Sequence, residues 1–386
     1  MNNDNWFQDL NGKKKHLFLL VEPITKTPYP PLGLMKISSM LKDRVKGCEV
    51  IPQTGSSING QKETPTAIFI TSLFTWDWRS VVESIKVYKS RFKDSKIIVG
   101  GIAASLLADE IESATGIKPH AGIYNDAEFY APDYSKMFGR KPGISITFTT
   151  RGCPNKCKFC SVKELEPDFF VKDGWEKDIN VDSGKIVFWD NNFLASPNFV
   201  KDCEKILTLG KKVDFNQGLE ARLYDEDKAK ILARLNIDPL RFAFDDIKQE
   251  QNVLKAIRLA KKYTKKEICV YALYNFEDSP EDLFYRIDML NKEGVLCFPM
   301  EYRAASKETK RFPNRFWNGF LLRAFKLTQL FYYRKGMITE KRESFQHIYG
   351  KTAKEFISKL YEIYEYDKSP SKGKVKSGIS GGQYEK

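Results

Sequence analysis

The chain lacks any apolar run long enough to cross a membrane as a helix. Its polar start, Met1-Asn2-Asn3-Asp4-Asn5, has no signal-peptide character, so no membrane attachment and a cytoplasmic location are expected. Cysteine is scarce. Of seven, Cys48, Cys203, Cys269 and Cys297 are scattered through strand and helix patterns and read as reduced core residues, not as a disulfide framework. Histidine is scarcer still, at His16, His120 and His347 only. Acidic residues fall short of basic ones, 50 against 63, and the net charge of +13 suits a polyanionic partner while speaking equally to solubility.

What is present is enough apolar side chain, 42% of 386 residues, to build the two or three domains that this length predicts. After a polar leader over residues 1–15, residues 16–21 read as a buried strand and 33–41 as a helix following the Pro30-Pro31 turn. Further strands over 67–71 and 96–100 and helices over 78–92 and 103–112 continue the alternation. Apolar strands alternating with helices imply a parallel sheet covered on both faces, here a Rossmann-like α/β domain over residues 16–139. A second series fills 140–301, with strands expected at 144–150, 185–189, 212–216, 241–244, 268–273 and 295–300. Six such units are too few to close an eight-stranded barrel, so the expected fold is a partial (β/α)6 barrel of TIM type.

Three of the seven cysteines sit together in Arg151-Gly152-Cys153-Pro154-Asn155-Lys156-Cys157-Lys158-Phe159-Cys160, at C-x3-C-x2-C spacing just after the first strand of the second series. A tight loop can turn several thiolates toward one centre, and soft sulfur ligands favour an iron–sulfur cluster or zinc. No histidine or further cysteine lies nearby to complete a tetrahedral zinc site, which points to a cluster with one iron left open. A zinc knuckle with a distant fourth ligand and ordinary buried thiols remain the alternatives.

This loop, with the aromatic Phe159 just before its last cysteine, resembles the cluster loop of the radical S-adenosylmethionine (SAM) superfamily. The resemblance implies that Cys153, Cys157 and Cys160 hold a [4Fe-4S] cluster. It implies further that the open iron chelates SAM, that reductive cleavage releases a 5′-deoxyadenosyl radical, and that a flavodoxin- or ferredoxin-type donor supplies the electron. Residues 16–139 resemble the cobalamin-binding domain that precedes the barrel in one subgroup, on the strength of Tyr29-Pro30-Pro31-Leu32-Gly33-Leu34 and Val99-Gly100-Gly101-Ile102-Ala103. The D-x-H-x-x-G segment that brings a histidine to cobalt is missing, and His120 reads as a solvated loop residue, so any bound cobalamin is expected without a protein histidine on cobalt.

The resemblance also assigns contacts residue by residue. Asp190, Asn191 and Asn192, after the second strand, fall where the family receives the SAM amino group. Arg222, in Gln217-Gly218-Leu219-Glu220-Ala221-Arg222, matches a position near the SAM carboxylate or the substrate, and Gln217 is counted with it among the cofactor-binding residues. Asp245 matches the acidic end of the fourth strand that accepts ribose hydroxyls. The fifth strand reads Tyr271-Ala272-Leu273-Tyr274-Asn275-Phe276, without the glycines the family often places near adenine.

Residues 302–366 form a basic helical region. Phe316, Phe320, Ala324, Leu327 and Phe331 recur at helical spacing. Among them lie Arg303, Lys307, Lys310, Arg311, Arg315, Arg323, Lys326, Arg334, Lys335, Lys341 and Arg342 against only Glu308 and Glu340, a local net charge of +9. Such a face suits an anionic substrate or nucleic acid, with Trp317, Tyr332 or Tyr333 stacking on bases, or it is a solvated exterior over a packed apolar side. Residues 367–386 have the composition of a disordered tail. The expected function is radical initiation on an unidentified substrate, or methylation if cobalamin is bound. The rival is a nucleic-acid-binding protein whose metal loop is structural.

Overall fold

The computed structural model describes Leu10 and residues 15–58, 61–140, 143–305, 314–334 and 342–368, excepting the side chains of 328–334, 342–344 and 366–368. These residues divide into two compact units. The first is drawn from Met1–Phe242, Asn252–Glu267 and Ala304–Lys310, the second from Ala243–Gln251, Ile268–Arg303 and Arg311–Lys386.

In the first unit, β1 (Leu17–Glu22) is buried along its whole length because its side chains serve two cores. Leu19 and Val21 join Ile68, Ile70, Val81 and Ile85, while Phe18 and Leu20 join Leu34, Met40, Leu41 and Phe69. Alternate side chains of a strand face opposite ways, so a run that is apolar at every position is a strand covered on both sides. The covers are α1 (Leu32–Arg44) and, beyond β2 (Glu49–Thr54) and β3 (Ala67–Thr71), α2 (Trp78–Arg91). With β4 (Lys96–Gly100) these strands make a parallel sheet of order β2-β1-β3-β4.

Two details depart from the sequence pattern. Pro52 argues against a strand, yet β2 forms, since it is an edge strand where a missing backbone donor is tolerated. The single helix expected over 103–112 is two, α3 (Ile102–Leu106) and α4 (Ala108–Thr115), because Leu107 turns to φ −124°, ψ 34° as its side chain enters the core. A short α5 (Asn125–Glu128) follows.

The chain then makes β5 (Ile144–Thr147), β6 (Thr150–Arg151), α6 (Val162–Leu165) and β7 (Phe170–Val171). Next come β8 (Lys185–Phe188), α7 (Phe199–Leu209), β9 (Lys212–Phe215) and α8 (Glu226–Arg234). β5, β8 and β9 form a parallel sheet with β8 central. Phe188 stacks on Phe215 at 5.3 Å and Phe193 lies 4.3 Å from Phe215, aromatic pairs that each add about 0.5–1.5 kcal/mol beyond their buried area. Leu32 of α1 packs with Ile146 and Val187, joined by Tyr29, Phe148 and Trp189, so an apolar cluster connects two parallel sheets, that of β1 and that of β8.

β10 (Leu240–Ala243) and α9 (Glu250–Tyr263) have residues in both units. In the second unit, β11 (Ile268–Tyr274) pairs in parallel with β12 (Leu296–Glu301). Between them α10 (Pro280–Lys292) begins at a capping box of Ser279 and Asp282 with proline at its first position. Arg286, fully buried, donates to the carbonyls of Phe244 (2.7 Å) and Leu273 (2.8 Å) and pairs with Asp278 (3.0 Å), holding the strand ends together.

Three helices close the chain: α11 (Gly319–Arg334), α12 (Arg342–Tyr349) and α13 (Ala353–Lys368). The expected helix is present, but among the described residues its buried face keeps only Ala324 of the expected stripe. Leu321, Leu322, Ala324 and Phe325 are buried, whereas Phe316, Phe320 and Leu327 are exposed. Trp317 is not available to stack on a base, being buried against Tyr274 and Phe325. Lys307, Lys310, Arg311, Lys335 and Lys341, and the side chains of Phe331, Tyr332, Tyr333, Arg334 and Arg342, lie outside the described residues, as does the tail beyond 368.

Candidate functional site

The cysteine loop is an excursion pinned at its base. β6 leads into it and β7 leads out, paired antiparallel as Thr150 with Val171 and Arg151 with Phe170. Gly152 makes the first turn at φ +71°, where a Cβ would lie 2.2 Å from the Asp168 carbonyl oxygen, so only glycine fits. Glu166 ties the two sides together. Its Oε2 accepts from Gly152 N (2.7 Å) and Asn191 Nδ2 (3.0 Å), and its Oε1 pairs with Arg151 at 2.7 Å. The Arg151 guanidinium lies 3.9 Å from the Phe148 ring centroid.

The three polar residues after β8 all turn toward this loop. Asp190 Oδ1 accepts from Thr149 N (2.9 Å), Thr149 Oγ1 (2.6 Å), Thr150 N (2.7 Å) and Thr150 Oγ1 (2.8 Å), fixing the chain just before the loop. Burial raises the Asp190 carboxyl above its ordinary range in spite of these donors. Asn191 acts through Glu166. Asn192 places Nδ2 at 3.8 Å from Cys153 Sγ, while its Oδ1 is buried without a partner.

On the other side, Asn155 Nδ2 donates to Glu220 Oε2 (2.9 Å), and Arg222 donates to both Glu220 oxygens at 2.7 Å. Burial alone would raise Glu220, but Arg222 and Asn155 outweigh it and hold the carboxyl below its usual range. Glu220 in turn raises Arg222, which also interacts with Cys157, so a permanent cation stands beside the second thiol. Phe159 is half-buried within the loop. Asp245 belongs to the second unit, where its Oδ1 accepts from Leu273 N at 3.3 Å.

A cavity of about 310 Å³ lies beside the loop, wholly within the first unit. Its walls are mainly apolar and come from the carboxyl ends of β1, β3 and β4, from Tyr29-Pro30-Pro31 and α1, and from Phe148, Arg151, Glu166, Trp189, Asn191 and Gln217. His120 is in this wall, not in a solvated loop, with Nε2 3.0 Å from the Ile123 carbonyl oxygen. Gly101, also in this wall, lets the strand ends pack closely: at φ +104° a Cβ would meet Ser72 O at 2.3 Å. Buried charges alternate from the loop inward. Glu166 pairs with Arg151, Arg151 approaches Glu128 (3.8 Å), Lys36 lies between Glu128 (3.8 Å) and Asp178 (3.6 Å), and Lys172 pairs with Asp178. Burial pushes the Lys36 ammonium down to about 8. The sequence pattern missed Glu166, Lys36 and the Thr149-Thr150 pair, whose only signal was a polar pair at a strand end.

Cys153, Cys157 and Cys160 form no disulfide and are half-buried. Among the described residues, no three His, Cys, Asp or Glu side chains converge as the ligands of a single ion would. A cubane asks for something else, because each of its cysteines binds a different iron. Three thiols on one pinned loop, with an amide donor at one and a guanidinium at another, fit such a cluster. The cavity is lined by the two stretches that carry the likeness to a cobalamin-binding domain, residues 29–34 and Gly100-Gly101-Ile102, and its apolar walls suit the face of a corrinoid.

No protein-family model and no curated protein matches the sequence. Among solved structures, the chain is similar to the radical SAM methyltransferase TsrM from Kitasatospora setae, whose structure holds cobalamin and a [4Fe-4S] cluster. The TM-score is 0.61 at 14% identity, over 75% of this chain and 72% of that one. It is also similar to OxsB, a cobalamin-dependent SAM radical enzyme whose structure holds aqua-cobalamin and SAM, with a TM-score of 0.53 at 14% identity over 77% of this chain and 54% of that one. The α/β fold, with its parallel sheets, is thus similar to the folds of TsrM and OxsB. No helix among the described residues is long and apolar enough to cross a membrane.

Proposed function

We propose that this chain is a radical SAM enzyme that holds a [4Fe-4S] cluster on Cys153, Cys157 and Cys160. The observation that carries the reading is the pinned C-x3-C-x2-C loop following β5, in a fold similar to those of TsrM and OxsB. Ligands of parallel β/α arrays sit at the carboxyl ends of the strands, where this loop and the cavity lie. When bound, the cluster supplies the electron that cleaves SAM reductively, a step side chains cannot perform. The chain's own part is to orient the reactants. Arg222, beside Cys157, suits the SAM carboxylate, and Gln217 reaches the cavity wall. Asp190 is better read as fixing the strand end than as a partner for the SAM amine, since its carboxylate is already surrounded by donors. Phe159 and Asp245 enter on the family resemblance alone.

A second reading, favoured by the likeness to TsrM and OxsB, is a cobalamin-dependent radical SAM methyltransferase, with the apolar cavity as the place a corrinoid would take. The electron is proposed to come from a flavodoxin- or ferredoxin-type donor. An anionic or nucleic-acid-derived substrate would meet the exposed basic side chains of Arg315 and Arg323. The test is anaerobic reconstitution with metal analysis. Iron should load, be lost when all three cysteines become alanine, and support 5′-deoxyadenosine formation from SAM under strong reductant. Full iron loading of the triple variant, or a zinc ion with a fourth protein ligand and no SAM affinity, would overturn the reading.

A further inference from the structure

Asn192 is costly to keep where it is. It is 2% exposed, and its Oδ1 meets no donor among the described residues. A buried acceptor without a partner destabilises a fold, whereas an apolar side chain of similar shape would not. Nor does it act as a helix cap, although it occupies the N-cap position of the 3₁₀ turn Phe193–Ala195. Among the described residues, the one polar contact of its side chain is that of the amide nitrogen, 3.8 Å from Cys153 Sγ. The two preceding residues make that contact rigid, Asp190 by holding Thr149 and Thr150, and Asn191 by holding Glu166, which holds Gly152.

We propose that Asn192 tunes the cluster, its side-chain N–H donating to the Cys153 thiolate and raising the reduction potential. The proposal rests on the cluster assignment made above. Reduction adds negative charge to the cluster and its sulfurs, and a donor aimed at one sulfur stabilises the reduced form more than the oxidised form. Burial strengthens the effect because water does not screen it. Asn192 is thereby a positioning and tuning residue toward Cys153, in place of the SAM amine partner that its position after β8 suggests.

The experiment compares wild type with Asn192→Ala and the isosteric Asn192→Asp, each reconstituted anaerobically. It measures iron content, the midpoint potential without SAM by redox titration followed by electron paramagnetic resonance, and SAM affinity. The expected result is equal iron content with a potential that falls from wild type to Ala and further to Asp, where a carboxylate faces the sulfur, together with an altered resonance signal. Equal potentials in all three proteins, or reduced SAM affinity with an unchanged SAM-free potential, would overturn the proposal. If Ala fails to load iron, the shape-conserving Asp variant decides alone. Wild type that holds no cluster would instead refute the cluster assignment, so the two failures are distinguishable.

Discussion

Replacing Asp190 should damage the protein before any chemistry begins. Its Oδ1 accepts four hydrogen bonds, from Thr149 N, Thr149 Oγ1, Thr150 N and Thr150 Oγ1, all at 2.6–2.9 Å in a fully buried position. Asp190→Ala leaves two backbone N–H groups and two hydroxyls without that acceptor. The hydroxyls can turn elsewhere, but each unmet buried N–H costs about 1–3 kcal/mol, so a loss of about 3–5 kcal/mol is expected, with some relaxation included. That is a large part of the roughly 5–15 kcal/mol that holds a typical domain together. Asp190→Asn keeps Oδ1 in place and gives up the charge and the Oδ2 acceptor that Thr149 N also reaches (3.1 Å), for about 1–2 kcal/mol. Urea unfolding at pH 7 followed by circular dichroism should rank wild type above Asn and Asn above Ala. Iron loading should fall with Ala, because Thr149 and Thr150 lead directly into the cysteine loop. An alanine variant within about 0.5 kcal/mol of wild type that loads full iron but loses SAM affinity would refute this reasoning and return Asp190 to the SAM amine.

Gly152→Ala should destabilise the loop by more than about 2 kcal/mol and impair iron loading, since φ is +71° and the new Cβ would meet Asp168 O at 2.2 Å; normal loading would show that the turn can relax around a side chain. Burial would raise Asp133, but Lys42, Ser135 and Ser38 together hold it down at about 2. A depressed carboxyl contributes stability above its unfolded value of 3.8 and loses it as pH falls through the folded value. With Lys42 half in solvent the contribution is about 1–2 kcal/mol. Asp133→Asn should therefore destabilise at pH 6 and leave stability at pH 2 almost unchanged, which unfolding curves at both values would check. Charge reversal at Arg315 and Arg323 should weaken oligonucleotide binding and flatten its log–log salt slope by about 0.7–0.9 for each phosphate that is no longer neutralised. Equal slopes for variant and wild type would leave these residues as surface charge.

The sequence disclosed what is local and withheld what is decided by distant neighbours. The cysteine loop was legible because ligand spacing is a property of ten consecutive residues. The central strands were legible because burial on both faces makes them apolar at every position, as in β1. β2 was hidden by Pro52, since a proline argues against a strand unless the strand is known to lie at an edge, and only the sheet order reveals that. α11 is apolar on more than one side, so periodicity offered two stripes and could not choose. The packing of Phe325 against Phe356 and Tyr349 chose Leu321, Leu322 and Phe325, and left Phe316 and Phe320 outside. The same limit governs the site. A carboxylate and two amides at a strand end are chemically right for an ammonium, and equally right for backbone N–H groups, a glutamate and a thiolate. Their partners, Thr149, Thr150, Glu166 and Cys153, lie 25 to 41 residues earlier and reach them only when β5 and β8 pair. Residue type alone therefore overstated how many groups stand free for SAM, because the loop that would carry the cluster needs fixing by the same kinds of atoms that would bind its substrate.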